Sequence, residues 1–244
     1  MTINYALIQM VEKVSEMSDK ARIITKARVV MLLTNAEGNC IGCGYEKGGE
    51  TFQMYGPVFL ATGGFGADFT SDSPLAQYKP DLIHLPTTDG EDCTGDGIKM
   101  GEQIGAKIID LEGVQVHPTG LVKPDDPDAK IKFLTAEALR GVGGLVFYKD
   151  GELFCNELGR RDYVTGEMMK NKALFRLCLN NAAAQEVVWH GILHYTGRGV
   201  MKYYASGEAL AQDMGCNVQN LVDAHDHHHA AAKTTRENPT GGPF

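Results

Sequence analysis

Apolar residues recur at helical spacing near the start of the chain and at strand spacing directly after it. In residues 5–17 the apolar side chains of Ile8, Val11 and Val14 have charged residues between them, and this pattern predicts an amphipathic helix. Short β-rich runs with glycine- and asparagine-containing turns follow at Arg22–Thr25, Arg28–Leu33, Ile41–Tyr45, Thr51–Tyr55 and Val58–Ala61. They predict a β-meander whose last run is a buried strand ending in a glycine turn.

A helix, a strand and a loop are predicted after the β-rich part of the chain, and beyond the loop short strands and helices follow. Asp96–Ala106 predicts a helix with Asp96 as its N-cap, and a strand is expected near Lys107–Leu111. The polar segment Pro124–Ala129 predicts a loop. Beyond it we expect the strand Leu145–Tyr148 and the helices Asp162–Lys170 and Ala182–Trp189. We therefore predict two domains, residues 1–124 and residues 125–244, the second of α+β type.

Composition and charge narrow the class of protein. The hydrophobic fraction of 43% and the charged fraction of 22% are those of an ordinary soluble domain. A net charge of −8 disfavours a nucleic-acid partner. No apolar run is long enough to span a bilayer, and the first residues lack the order of a secretory signal. We expect a soluble intracellular protein, of the cytoplasm or of an organelle matrix.

The cysteines and histidines do not predict a metal site. Cys40 and Cys43 form a single CxxC motif without a second ligand pair, so we expect reduced structural thiols rather than zinc ligands. The tail contains His225, His227, His228 and His229, but side chains this close in sequence point in different directions and fix no coordination geometry. The end of the chain, Thr234–Phe244, is expected to be a loop.

Two glycine-rich segments are candidates for cofactor contact. Thr62, Gly63 and Gly64 follow the apolar run Val58–Ala61, and glycine lets the backbone approach a phosphate or a ring closely. The alternative is an ordinary tight turn. The second segment, Thr94–Gly97, precedes the predicted helix, whose first turn offers free N–H donors. Its structural alternative is helix capping.

Four charged or titratable side chains are candidates for binding and protonating a small dicarboxylate. His117 is expected at the end of an apolar strand, where the alternative is a hydrogen-bonded core residue. Glu137 and Arg140 are three residues apart and share one helical face. Because apolar residues surround them, we expect a buried pair rather than a surface ion pair. Arg161 precedes Asp162, and the alternative is an exposed charged turn with Asp162 as the helix cap.

These segments occur in a characteristic order: Ala61–Gly66, Thr94–Gly97, Gln115–Gly120, Ala136–Gly141 and Phe154–Asp162. In this order residues 4–215 resemble the soluble fumarate reductases, the FAD-dependent flavoprotein family that includes flavocytochrome c and the NADH-linked protozoan enzymes. The resemblance implies an α/β plus α+β fold, in which part of a Rossmann-like FAD-binding domain precedes a substrate-capping domain. The implied activity is reduction of fumarate to succinate, with non-covalently bound FAD as cofactor and NADH as the candidate electron donor.

The resemblance also implies a role for each candidate residue. Thr62, Gly63 and Gly64 would lie against FAD, and Thr94, Gly95, Asp96 and Gly97 near its isoalloxazine ring. His117 would donate to a substrate carboxylate. Glu137 and Arg140 would relay a proton to Arg161, the acid, since Asn156-Glu157-x-x-x-Arg161-Asp162 has the matching spacing.

Two family features are missing. No G-x-G-x-x-G motif follows an N-terminal strand, and nothing after Gly215 matches the family. We therefore expect a fragment of a longer fold. A non-catalytic remnant that acts at most as a binding domain is the alternative. A sister flavoprotein such as a ketosteroid dehydrogenase is disfavoured, because a neutral substrate needs no cluster of cations.

Overall fold

The computed structural model describes residues 2–171, 174–187 and 193–237. They form two compact units, one of Met1–Gly63 with Gly95–Ile109 and the other of Gly64–Thr94 with Asp110–Phe244. The predicted boundary between residues 124 and 125 lies inside the second unit. That boundary separates the FAD-binding and capping domains expected from the family resemblance, which need not coincide with the compact units. It stays a prediction.

Helices and short strands alternate along the described chain. The helices are α1 (Thr2–Met17), α2 (Pro74–Tyr78), α3 (Asp96–Gln103), α4 (Ala138–Gly141), α5 (Arg161–Met169), α6 (Asn181–Glu186), α7 (Gly207–Met214) and α8 (Val218–Glu237), with a 3₁₀ turn at Pro80–Leu82. The strands are β1 (Arg28–Thr34), β2 (Cys40–Lys47), β3 (Glu50–Tyr55), β4 (Gly120–Leu121), β5 (Phe133–Leu134), β6 (Leu145–Phe147) and β7 (Arg176–Cys178).

The first unit contains an antiparallel sheet of order β1-β2-β3. Its β2–β3 hairpin turns at Gly48 and Gly49, both with positive φ, at +62° and +86°. A two-residue turn of this kind matches the right-handed twist of the strands and strongly favours glycine. The predicted strands Arg28–Leu33, Ile41–Tyr45 and Thr51–Tyr55 are confirmed.

Three other predicted strands are wrong. Arg22–Thr25, Val58–Ala61 and Lys107–Leu111 have no strand structure. A strand exists through hydrogen bonds to a neighbour, and within the described residues Val58–Ala61 makes no such backbone bond. Instead of being buried, Phe59 is 94% exposed. The run Lys107–Leu111 is interrupted by the left-handed backbone of Asp110, which has a φ of +60°.

The helix predictions hold, with corrections at their ends. Gly95, not Asp96, occupies the N-cap of α3. Helix α3 ends before the predicted Ala106 because Gly105 is left-handed, at φ +80°, and Ala106 N–H bonds back to Gly101 O, a C-terminal glycine arrangement. Helix α6 is confirmed as far as Glu186, while Val188 and Trp189 lie outside the described residues.

Helices α1 and α8 differ from expectation in other respects. The predicted apolar face of α1 is exposed, with Ile8 at 50%. Helix α8 continues to Glu237, so the predicted loop is wrong for residues 234–237, and residues 238–244 lie outside the described chain. No helix in the described part is long and apolar enough to cross a membrane.

The second unit is organised around the fully buried strand β6, which pairs antiparallel with β7. Helices α7 and α8 cover it, and the shared core consists of Leu145, Phe147, Ala211, Leu221 and Ala224. A second core cluster consists of Leu139, Val187 and Tyr195. Leu139 lies in α4 beside Arg140, so this cluster fixes the position of the candidate site.

Candidate active site

His117 lies in an irregular segment rather than at the end of a strand, as the sequence had suggested. Its Nδ1 accepts the N–H of Thr119 at 3.3 Å, so in the neutral tautomer the proton is on Nε2. Nε2 lies 3.9 Å from Glu137 Oε1. Burial, with Arg161 and Arg140 nearby, lowers the pKa of His117, and Glu137 opposes the shift only in part. The site therefore presents a neutral imidazole with one N–H donor.

Arg161 and Glu137 are in direct contact. Arg161 is the first residue of α5, and its Nε donates to Glu137 Oε1 at 2.5 Å. A second guanidinium nitrogen contacts the same carboxylate oxygen, and the third donates to the side-chain oxygen of Gln115. The hydrogen bond from Arg161 is the main cause that lowers the pKa of Glu137. Glu137 is therefore ionised at neutral pH, and Arg161 is held in one orientation.

The neighbouring arginine has different surroundings. The side chain of Arg160 is 87% exposed and pairs with Asp162 at 3.1 Å, whereas that of Arg161 is 34% exposed. Arg160 occupies the N-cap of α5, so Asp162 is not the cap that the sequence suggested. Of the two arginines, Arg161 is the one that contacts the other site residues.

The predicted buried pair between Glu137 and Arg140 is wrong. Arg140 is buried, but its Nη1 donates to the backbone oxygen of Glu157 at 2.6 Å. The side chain of Glu137 is 52% exposed. Helix α4 is a single turn of four residues. Glu137 at its N-cap and Arg140 within it therefore contact other segments of the chain instead of each other. Arg140 is still close enough to lower the pKa values of both His117 and Glu137.

Sequence reasoning missed a buried carboxyl group behind Arg140. Glu157 is 1% exposed, and neither of its carboxylate oxygens has a hydrogen-bond partner among the described residues. His228 Nε2 lies 3.7 Å from Glu157 Oε1. Burial raises the pKa of Glu157, against the opposing effect of His228 and Arg140. The sequence showed Glu157 only as part of a spacing motif.

Tyr195 was also missed, and it holds the segment that leads into Glu137. Its buried hydroxyl accepts the N–H of Ala136 at 2.9 Å and donates to the backbone oxygen of Leu134 at 3.2 Å. Its ring belongs to the core cluster that contains Leu139. Tyr195 therefore stabilises the segment before Glu137 through its hydroxyl and packs with Leu139 after it. No local sequence pattern predicts this contact between distant residues.

The candidate flavin segments of the first unit lie close together. A Cβ at Gly97 would be 2.3 Å from Thr62 Oγ1, so only glycine permits this approach. Gly63 and Gly95 are left-handed, at φ +79° and +75°, and no side chain caps the start of α3. A helix N-terminus beside a glycine turn fits a flavin or phosphate group. Gly64 and Thr94 belong to the second unit.

Comparison with known proteins identifies the family. A family model described as an FAD binding domain matches residues 1–177. The chain belongs to this FAD-binding domain family. The predicted fold class, part of an FAD-binding fold with mixed helices and sheets, is thereby confirmed.

Individual members of this family resemble the chain over most of its length. It is 45% identical to the fumarate reductase of Schizosaccharomyces pombe, over 94% of this chain and 45% of the relative. It is 38% identical to fumarate reductase 1 of Saccharomyces cerevisiae, over 68% of this chain and 35% of the relative.

The fold comparison gives the same assignment. The open conformation of a flavocytochrome c3 fumarate reductase matches with a TM-score of 0.63 and 25% identity, over 91% of this chain and 38% of that one. The predicted resemblance to the fumarate reductase flavoproteins is therefore confirmed. The chain spans less than half the length of these relatives.

Proposed function

We propose that this FAD-binding domain chain carries the proton-donating and substrate-binding part of an enzyme that reduces fumarate to succinate. The observation that carries the proposal is the contact of Arg161 with Glu137 beside the neutral imidazole of His117. Similarity to relatives named fumarate reductase supports the substrate class. We further propose that FAD is bound non-covalently and that NADH is the electron donor.

The glycine segments are the proposed flavin contacts. Thr62 and Gly63, with Gly95–Gly97, would hold FAD, because Gly63 and Gly95 have left-handed backbone and no side chain caps the start of α3. When bound, FAD supplies the hydride that adds to one alkene carbon of fumarate. The other alkene carbon must then receive a proton, and that step belongs to residues of the second unit.

The proton-donating step is assigned to Arg161. Its guanidinium gives one N–H proton to the alkene carbon and regains a proton through Glu137, the carboxylate that it contacts. Arginine is a poor acid in water, so the step depends on a donor fixed in position. The Nε2–H of His117 would donate to a substrate carboxylate. The cations Arg140 and Arg161 offset the negative charge of the substrate.

A hybrid enzyme tests this function. In it, this chain replaces the matching segment of the Schizosaccharomyces pombe fumarate reductase. We expect the hybrid to contain flavin and to oxidise a reduced viologen dye when fumarate is added. Arg161→Gln should lower the turnover rate by ~10² to 10⁴ and leave the flavin content unchanged, because no residue of the glycine segments is altered.

The matched control is Arg160→Gln, since the side chain of Arg160 is 87% exposed and forms its ion pair with the neighbouring Asp162. It should keep full activity. Full activity of Arg161→Gln would contradict the acid assignment. A hybrid that binds flavin but never responds to fumarate would favour the alternative, a non-catalytic chain that acts as a binding domain.

A further inference from the structure

The carboxyl group of Glu157 is almost completely buried. It is 1% exposed, and both of its oxygens lack hydrogen bonds within the described part of the chain. A buried carboxylate in this state is costly. The proposed proton relay of Arg161 and Glu137 does not include it. A group that is expensive to keep ionised and lies beside a relay is a candidate for carrying a proton.

Two basic groups lie near Glu157, one at its backbone oxygen and one at its carboxyl group. Arg140 donates to the backbone oxygen of Glu157 at 2.6 Å, and its Nε is itself buried without an acceptor among the described residues. On the other side, His228 of α8 places Nε2 3.7 Å from Glu157 Oε1, and its side chain is 25% exposed. Glu157 therefore lies between a buried cation of the site and an imidazole that reaches solvent.

Other titratable groups nearby are weaker candidates. Burial raises the pKa of the Cys155 thiol to about 11, so it keeps its proton. His225 lies on the same helix, and burial lowers its pKa, so it stays neutral. The charge of Asp226 raises the pKa of His225 against the effect of burial, and the charge of Glu167 adds to the raised pKa of Cys155. Only His228 makes a close ion-pair contact with the Glu157 carboxylate in the described chain.

We propose that Glu157 and His228 form a proton-exchange pair that connects the buried Arg140 to solvent. The proposal rests on the function proposed above, in which Glu137 returns a proton to Arg161, and it adds Arg140 as the group that resupplies Glu137. The route runs through Glu157, in the segment before α5, and through His228 of α8.

The transfer balances without any redox step. The imidazolium of His228 gives its Nε2 proton to the Glu157 carboxylate, which leaves a neutral imidazole and a carboxylic acid. When Arg140 has passed a proton toward Glu137, the carboxylic acid gives its proton to Arg140 and becomes a carboxylate again. Water then reprotonates His228. At 3.7 Å the first transfer needs a small side-chain rotation, which is usual before substrate binds.

The closing experiment measures proton exchange at Arg140 in the 244-residue chain by NMR. Exchange of the Arg140 guanidinium protons with solvent should slow about tenfold or more in Glu157→Gln and in His228→Gln, since each removes the carrier. A purely structural role predicts the opposite result, because loosened packing speeds exchange. The measurement needs no flavin or turnover, so a failure of fumarate reduction leaves its outcome readable.

The matched controls are His227→Gln, an exposed neighbour on α8, and Glu152→Gln, an exposed carboxylate in the same region. Neither should change the exchange rate. Unchanged or faster exchange in His228→Gln overturns the proposal, even if Glu157→Gln fails to fold.

Discussion

Removing one oxygen atom from Tyr195 should loosen the segment that carries Glu137. Its hydroxyl makes two hydrogen bonds, to Ala136 N–H at 2.9 Å and to Leu134 O at 3.2 Å. Tyr195→Phe keeps the buried ring and its packing but deletes both bonds. Each net bond contributes about 1 kcal/mol, and a backbone group left without a partner costs more. We therefore expect a loss of about 1–3 kcal/mol in the free energy of unfolding.

Urea denaturation of the 244-residue chain, followed by circular dichroism, measures this loss as a lower midpoint urea concentration at an unchanged m-value. Tyr203→Phe is the matched control, because Tyr203 is 82% exposed, and it should stay within about 0.5 kcal/mol of the parent. A second measurement is the pKa of Glu137, which should rise toward its ordinary value as the contact with Arg161 weakens. A Tyr195→Phe variant as stable as the control would refute the reasoning.

Three further predictions follow from burial and charge. Arg161 lowers the pKa of Glu137, so the stability that this contact contributes is present above the ordinary glutamate pKa and is lost as pH falls through the lowered pKa. In a plot of the urea midpoint against pH, Arg161→Gln should therefore flatten this acidic part of the curve. The thiol of Cys155, with a pKa of about 11, should react with iodoacetamide at pH ~8 far more slowly than the exposed Cys40, as mass spectrometry can show. The exposed apolar face of α1 should make the chain self-associate, and Ile8→Asp should reduce this; a sharp monomer peak for the parent in light scattering would contradict it.

Local sequence predicted the hairpins well and the isolated strands badly, for one physical reason. The β2–β3 hairpin depends on Gly48 and Gly49, and the turn carries its own information about pairing. The run Val58–Ala61 has the composition of a buried strand, yet its structure depends on a partner elsewhere in the chain. Among the described residues no such partner bonds to it, so the segment stays irregular.

The site shows the same limit. The spacing of Glu137 and Arg140 predicted that the two residues pair with each other, but in the structure each has another partner. Glu137 pairs with Arg161, which lies 24 residues further along the chain, and only the family resemblance indicated that the two act together. The approach of Glu157 to His228 depends on how α8 packs on β6, and no local pattern contains that information.

The charges of the site leave it net positive, which suits the anionic substrate of the proposed function. Arg140 and Arg161 carry positive charge, Glu137 carries negative charge, and His117 is neutral because burial and the two arginines lower its pKa. The same field that keeps His117 neutral would attract a dianion. A bound dicarboxylate would cancel that field and strengthen the hold of the His117 N–H on a carboxylate oxygen. In the proposed function both arginines would therefore contribute to substrate binding, the buried Arg140 through its charge and the partly exposed Arg161 also as the proton donor.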